Sequence, residues 1–197
     1  AGNETVLSPT GNVTTGTVAG LTVTVGDADT WTNGTKTITI TASNSNYSTI
    51  RYTTDGTVPT ISSTEYNREF TVNSNCTITA VAYDSTNQAG ASATNEVTRI
   101  DKLAPTGSIS VSTTTNSATV TVTASDQEKT STNGKSEIKG YYYSKDGGSN
   151  YTAITTQTSY TFTNLAQSSN VNIRVKVVDN AGNETVLSPT GNVTTGT

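Results

Sequence analysis

Apolar and polar residues alternate with a period of two through most of this chain, and the alternation is written twice. Thr37-Ile-Thr-Ile-Thr-Ala-Ser-Asn44 stands beside Thr119-Val-Thr-Val-Thr-Ala-Ser-Asp126. A two-residue period puts Ile38, Ile40 and Ala42 on one face of a strand, and Val120, Val122 and Ala124 on one face of another. The parallel continues in Tyr52-Thr-Thr-Asp-Gly56 against Tyr143-Ser-Lys-Asp-Gly147, each a strand running into an Asp-Gly turn. It continues again in Ile78-Thr-Ala-Val-Ala-Tyr-Asp84 against Ile173-Arg-Val-Lys-Val-Val-Asp179. Tyr52 and Tyr143 are therefore read as equivalent core aromatics.

The pattern predicts strands at Leu21–Val25, Thr37–Ala42, Thr49–Thr54, Phe70–Val72, Cys76–Tyr83 and Glu96–Ile100 in a first unit. A second unit has them at Ser108–Ser112, Thr119–Ala124, Gly140–Ser144, Tyr151–Ile154, Tyr160–Asn164, Val171–Asp179 and Glu184–Leu187. Short strands with frequent turn signals point to antiparallel sandwiches, and no window reads as helix. The second unit carries an extra polar stretch between Asp126 and Gly140, expected as a surface loop.

A longer repeat encloses these two. Residues 1–17 (AGNETVLSPTGNVTTGT) recur letter for letter as 181–197, a period of 180 residues. Such identity marks a tandem array. The expected organisation is residues 1–17 as the last strand of a preceding repeat, 18–101 as a first β-sandwich and 102–197 as a second. The joint Arg99-Ile-Asp-Lys-Leu-Ala-Pro105 is too short to be a spacer, and its proline limits the angles it can take.

Composition narrows the partners. Only 13% of the 197 residues are charged, the net charge is −4 and no basic run occurs, so nucleic acid and anionic membrane surfaces are not expected. No apolar stretch approaches the roughly 20 residues that a membrane-spanning helix needs. The single cysteine, Cys76, allows no intrachain disulfide and is read as a small buried hydrophobe on the inward face of its strand. Sequons such as Asn3-Glu-Thr arise readily in a chain so rich in asparagine and threonine, and they carry little weight.

Three motifs carry a resemblance. Asp101-Lys-Leu-Ala-Pro-Thr106, Tyr141-Tyr-Tyr-Ser-Lys-Asp-Gly147 and Val177-Val-Asp-Asn-Ala-Gly-Asn183 resemble the bacterial immunoglobulin-like and fibronectin type III-like tandem repeats of large surface proteins. In the first unit, Ile50-Arg-Tyr-Thr-Thr-Asp-Gly-Thr-Val-Pro-Thr60 is similar to the chitobiase C-terminal-like sandwich domain. The resemblance implies an all-β chain of two tandem immunoglobulin-like antiparallel β-sandwiches plus the strand from the preceding repeat. It also implies a stalk, adhesin or fibre role at the bacterial cell surface, with neighbouring copies of the same repeat as partners and no catalytic residues.

The residue inventory agrees about chemistry. There is no histidine, which removes the histidine-dependent nucleophile systems and the usual zinc sites. The carboxylates outside the joint are scattered over turns and strand ends, so no enzyme activity is expected. The candidate ligand is calcium, for which Asp101, Asp126, Asp179 and Asn180 supply hard oxygen donors near the point where one sandwich meets the next. The alternative for Asp179 and Asn180 is an Asx-type turn ahead of Gly182. Trp31 and Tyr142 are the candidates for a glycan-binding platform, against the alternative that they seal a core or a joint. Lys36, Lys102 and Lys176 are expected at strand edges or outward positions, in water rather than in an internal Lys–Asn crosslink. Function is thus expected to be a structural repeat projecting a distal binding region. The alternatives are a carbohydrate-binding accessory module, or a fibre subunit joined by strand complementation through residues 1–17.

Overall fold

A computed structural model describes residues 20–197. The repeated segment 1–17, and with it the strand expected there, lies outside the described residues. The rest is all-β, in two sandwiches joined end to end.

In the first sandwich one sheet has the order β1-β2-β5, from Leu21–Val25, Lys36–Ala42 and Phe70–Val72. The facing sheet has the order β4-β3-β6-β7, from Thr64–Glu65, Thr49–Thr53, Cys76–Tyr83 and Ala89–Val97. Register follows the alternation: Val23 opposes Ile40 and Val25 opposes Ile38, so one face of the pair is apolar. Val23, Val25, Ile38, Ile40, Ile50, Ile78 and Val97 meet between the sheets. Burying each contributes about 1.5–3 kcal/mol before chain entropy is counted.

The second sandwich repeats the plan. Strands β8 (Thr106–Thr113), β9 (Ala118–Ser125) and β11 (Ser159–Phe162) form one sheet, in the order β11-β9-β8. Strands β10 (Ile138–Ser144), β13 (Arg174–Asp179) and β14 (Glu184–Leu187) form the other. A short pair, β12 (Asn170–Val171) with β15 (Val193–Thr194), closes the far end. Its core holds Val120, Val122, Tyr141, Tyr143, Phe162, Ile173, Val175, Val177 and Leu187.

Several sequence expectations change. Of the strand expected at Glu96–Ile100 only Glu96 and Val97 are strand, as the end of the longer β7, whose Ala89–Glu96 portion is mostly exposed and so carries no apolar rhythm; Ile100 makes only an isolated bridge to Thr32. Residues 151–154 form no strand; Thr152 and Thr155 instead bond irregularly to the backbone of β10. In β6, every residue from Ile78 to Tyr83 is buried, not one face alone. The loop 54–63 lies over the second face, where the Thr79 hydroxyl donates to Gly56 O and the Tyr83 hydroxyl donates to Pro59 O.

Cys76 is half-buried on a cleft wall rather than enclosed in the core, and burial still pushes its thiol pKa up. Lys36 is buried, contrary to the expectation of an outward side chain. Its ammonium donates to the carbonyls of Asp27 and Thr30 at 2.5 and 2.8 Å, and so ties down the turn before β2. Burial lowers its pKa, with the Asp27 charge pulling the other way. Its bonds go to backbone oxygens and not to an asparagine amide, which is no geometry for a crosslink.

The two core tyrosines differ. Tyr143 is fully buried and its hydroxyl donates to Gln157 O at 2.6 Å, whereas Tyr52 is half-buried and its hydroxyl has no hydrogen-bond partner among the described residues. Tyr143→Phe is expected to cost about 1 kcal/mol in urea unfolding, the value of one buried hydrogen bond. Tyr52→Phe is expected to cost close to nothing. Equal losses would mean that the two hydroxyls are in equivalent surroundings.

Candidate metal centre at the domain joint

The joint is built from a chain segment shared by both sandwiches. Ile100 is fully buried and belongs to the first core. Its neighbour Asp101 is also buried, but its carboxylate faces the second sandwich. The backbone between them is fastened to the first sandwich by Thr32 N to Arg99 O (3.1 Å), Asp101 N to Thr32 O (2.9 Å) and Ile100 N to Asn75 Oδ1 (2.9 Å). Arg99, with φ at 61°, makes the bend, and its guanidinium bonds back to Asp29.

The loop expected at the surface is exposed over residues 127–132 and also returns onto the first sandwich. Gly134 N donates to Ile100 O at 2.7 Å, and Asn75 N donates to Thr132 O at 2.9 Å. Trp31 packs against this loop so closely that a Cβ on Gly134 would stand 2.4 Å from the indole. Glycine is therefore required there by space. Trp31 is half-buried against the joint, on the wall of a cleft it shares with Lys129 and Lys135. Tyr142, the other candidate platform, lies under the Lys176 ammonium, 4.8 Å from its ring centroid, with Tyr151 on the same cation at 5.5 Å. Lys176 in turn pairs with Glu184.

Above the linker three carboxylates converge. Asp101 follows β7, Asp126 follows β9 and Asp179 ends β13, and one oxygen of each lies within 4.8 Å of those of the other two. All three are buried, at 1%, 4% and 0% exposure. Asp101 accepts from Asn133 Nδ2 (2.9 Å), Leu103 N (3.1 Å) and Ser136 N (2.8 Å). Asp126 accepts from Gln127 N (2.8 Å) and Glu137 N (2.7 Å). Asp179 accepts from Gly182 N (2.7 Å), Asn183 N (2.8 Å) and Asn183 Nδ2 (2.8 Å), which is an Asx-type turn and a place in the cluster at once. Among the described residues no lysine or arginine forms an ion pair with any of the three.

Asn180 follows Asp179 directly. Its amide nitrogen donates to Ser136 O and Glu137 O, so it anchors the 126–140 loop. Asn133, Ser136 and Asn183 are participants that strand periodicity gave no means of finding. Asn183 also donates to Asp101 O at 2.9 Å, tying the last hairpin to the linker.

The electrostatics follow from these bonds. Burial pushes the Asp101 carboxyl up, but the donors Asn133, Leu103 and Ser136 outweigh it and hold the group below the ordinary carboxylate range. Asp126 has fewer donors. Burial, with the charges of Asp101 and Asp179 adding to it, raises its pKa despite the N–H groups of Glu137 and Gln127. Three buried carboxylates facing one another without a cation are costly, and a hard divalent ion is the chemistry that would relieve them.

The fold places the chain among known proteins. The family model described as Fn3 associated matches residues 38–97, most of the first sandwich. Domains A168–A170 of titin superpose with a TM-score of 0.52 at 15% identity, covering 85% of this chain and 61% of that one. The fibronectin(III)-like modules of Clostridium thermocellum CbhA match at 16% identity, with a TM-score of 0.37 and coverage of 88% and 94%. Three N-terminal domains of the bacteriophage RB49 outer capsid protein Hoc match at 14% identity, with a TM-score of 0.44 and coverage of 87% and 58%. The chain thus spans about three-fifths of the titin and Hoc structures. No curated protein matches its sequence. The fold is that of two tandem immunoglobulin-like antiparallel β-sandwiches.

Proposed function

We propose that this chain is a structural repeat of an extracellular bacterial surface stalk or fibre, without catalytic activity, that extends a distal binding region from the cell. The observation that carries this reading is the joint: Ile100 completes one core while the adjacent Asp101 is bonded into the other sandwich, and the 126–140 loop docks on both. Two domains that share a linker so short and so fully bonded move as one stiff rod, the property that a spacer needs.

The exact sequence repeat adds an argument. The segment 181–197 supplies β14 and β15, with Leu187 in the second core and Thr195 buried. Residues 1–17 have the same sequence letter for letter, as expected of a repeat that is used more than once. In an array of such repeats reach grows with copy number.

Within this reading Asp101, Asp126 and Asp179 are the seat of a calcium ion that locks the stiff joint. Three carboxylates supply half or so of the 6–8 oxygens calcium takes, with water and carbonyl oxygen left to complete the shell. The first sandwich lacks the trio. By sequence position, Asp84 corresponds to Asp179, but Asn44 stands where Asp126 would. Clamped and unclamped joints would therefore alternate along an array.

Small-angle scattering of proteins with one, two and four copies of the 180-residue period tests the spacer reading. The longest dimension is expected to rise in proportion to copy number. Growth as the square root of copy number, the signature of a flexible chain, would sink it. Gly134→Val, which drives a side chain into Trp31, is expected to widen the distribution of angles at the joint while both sandwiches stay folded.

A further inference from the structure

The first sandwich has an open cleft that its twin has closed. It measures about 810 Å³ and lies between β5, the start of β6 and the Thr54–Asp55 turn, with Thr132 of the second sandwich on its rim. One wall is aromatic. Tyr52 and Phe70 are stacked at 4.3 Å with planes 20° apart, and Tyr66 meets both edge-on. In the second sandwich the equivalent Tyr143 stacks on Tyr160 at 5.1 Å, is fully buried and spends its hydroxyl on Gln157 O. There the space is filled.

The remaining walls are mostly polar. Tyr52, Thr54, Thr71, Asn73, Ser74 and Thr77 all line the cleft, and none of their side chains has a hydrogen-bond partner among the described residues. Thr54, Thr71 and Asn73 are exposed and Tyr52, Ser74 and Thr77 half-buried, so these groups are open to a ligand. No lysine or arginine lines the cleft, and its one formal charge is Asp55, whose Oδ1 is already taken by Thr57. An anion finds no counter-charge there, and a hydrocarbon would strand the hydroxyls and amides. The matching ligand has a flat apolar face for the aromatic wall, many hydroxyls for the others, and no charge.

We infer that this cleft binds a neutral oligosaccharide, with a sugar ring against the Tyr52–Phe70 wall and its hydroxyls on Asn73, Ser74 and the Tyr52 hydroxyl. The inference goes beyond the spacer reading, which stands or falls on the joint. It also places the sugar away from Trp31 and Tyr142, whose rings are engaged by Gly134 and Lys176. A stalk built this way would adhere along its length as well as at its tip.

The test is a screen of the wild-type chain against a neutral glycan array, followed by calorimetry with cellotriose, maltotriose and triacetylchitotriose and with heparin oligosaccharides as the charged control. Binding of at least one neutral oligosaccharide is expected. Tyr52→Phe, which keeps the ring, and Asn73→Ala, at an exposed turn position, should each weaken it about fivefold to tenfold, the value of one hydrogen bond. Tyr142→Ala should leave it unchanged. No binding across the neutral array, preference for the anionic sugars, or neutral binding insensitive to both Tyr52→Phe and Asn73→Ala would each overturn the inference.

Discussion

Asp179→Ala is expected to lower the melting temperature of the second sandwich by roughly 8–16 °C, while the first sandwich melts where it did. The size follows from what the carboxylate holds. It accepts three hydrogen bonds from Gly182 and Asn183 in a fully buried place, and deletion strands those donors. Hydrogen bonds to a charged group are worth about 1.5–3 kcal/mol each. Relief of repulsion from Asp101 and Asp126 offsets part of that. A net loss of about 2 kcal/mol converts to the stated shift in a domain of this size. Asp179→Asn keeps an acceptor for the two backbone N–H groups and is expected to be the milder change. If alanine and asparagine prove equal in differential scanning calorimetry, the hydrogen bonds are not what holds this hairpin.

Millimolar calcium is expected to raise the same transition, and chelator to reverse the rise. At a calcium concentration a hundredfold above Kd, linkage adds about 2.7 kcal/mol, or roughly 10–20 °C. Asp126→Asn should abolish the response. The pH dependence has a worked sign. Asp126 has a raised carboxyl pKa in the folded protein, so without calcium the folded form holds this proton more tightly than the unfolded form. Its contribution to stability is present in acid and is lost as pH rises through the raised value. Asp101, held low, contributes in the opposite sense, present above the unfolded value and lost as pH falls. Calcium competes with the Asp126 proton, so the calcium-induced shift should shrink as the solution is acidified into the raised Asp126 range. A melting temperature indifferent to calcium at neutral pH would remove the ion from the proposal and leave the stiff joint to its hydrogen bonds.

The sandwiches were legible because their core strands alternate. Ile38 and Ile40, or Val120 and Val122, have no other way to hide their side chains from water than to face a second sheet. The elements that escaped are those without such residues. β4 is two exposed residues, β15 is two residues, and most of β7 is small and polar, so they are held by backbone pairing that leaves no trace in hydropathy. The candidate site was legible in part. Asp101, Asp126 and Asp179 stand at ends of strands that sandwich topology brings to one place, but their partners Asn133, Ser136 and Asn183 belong to loops whose paths periodicity does not constrain.

By itself, the sequence determined the strand plan, the duplication of that plan, the longer repeat that encloses it and the absence of histidine chemistry. These are local or compositional properties, fixed by which residues follow which. Tertiary structure alone decided that the polar 126–140 loop docks on the first sandwich, that Lys36 is buried on carbonyl oxygens, that Trp31 is wedged at Gly134 and that one of two equivalent tyrosines opens on a cleft. Each of these depends on contacts between residues far apart in the chain. A polar side chain is as content with a distant carbonyl as with water, so its sequence position does not reveal which it has found.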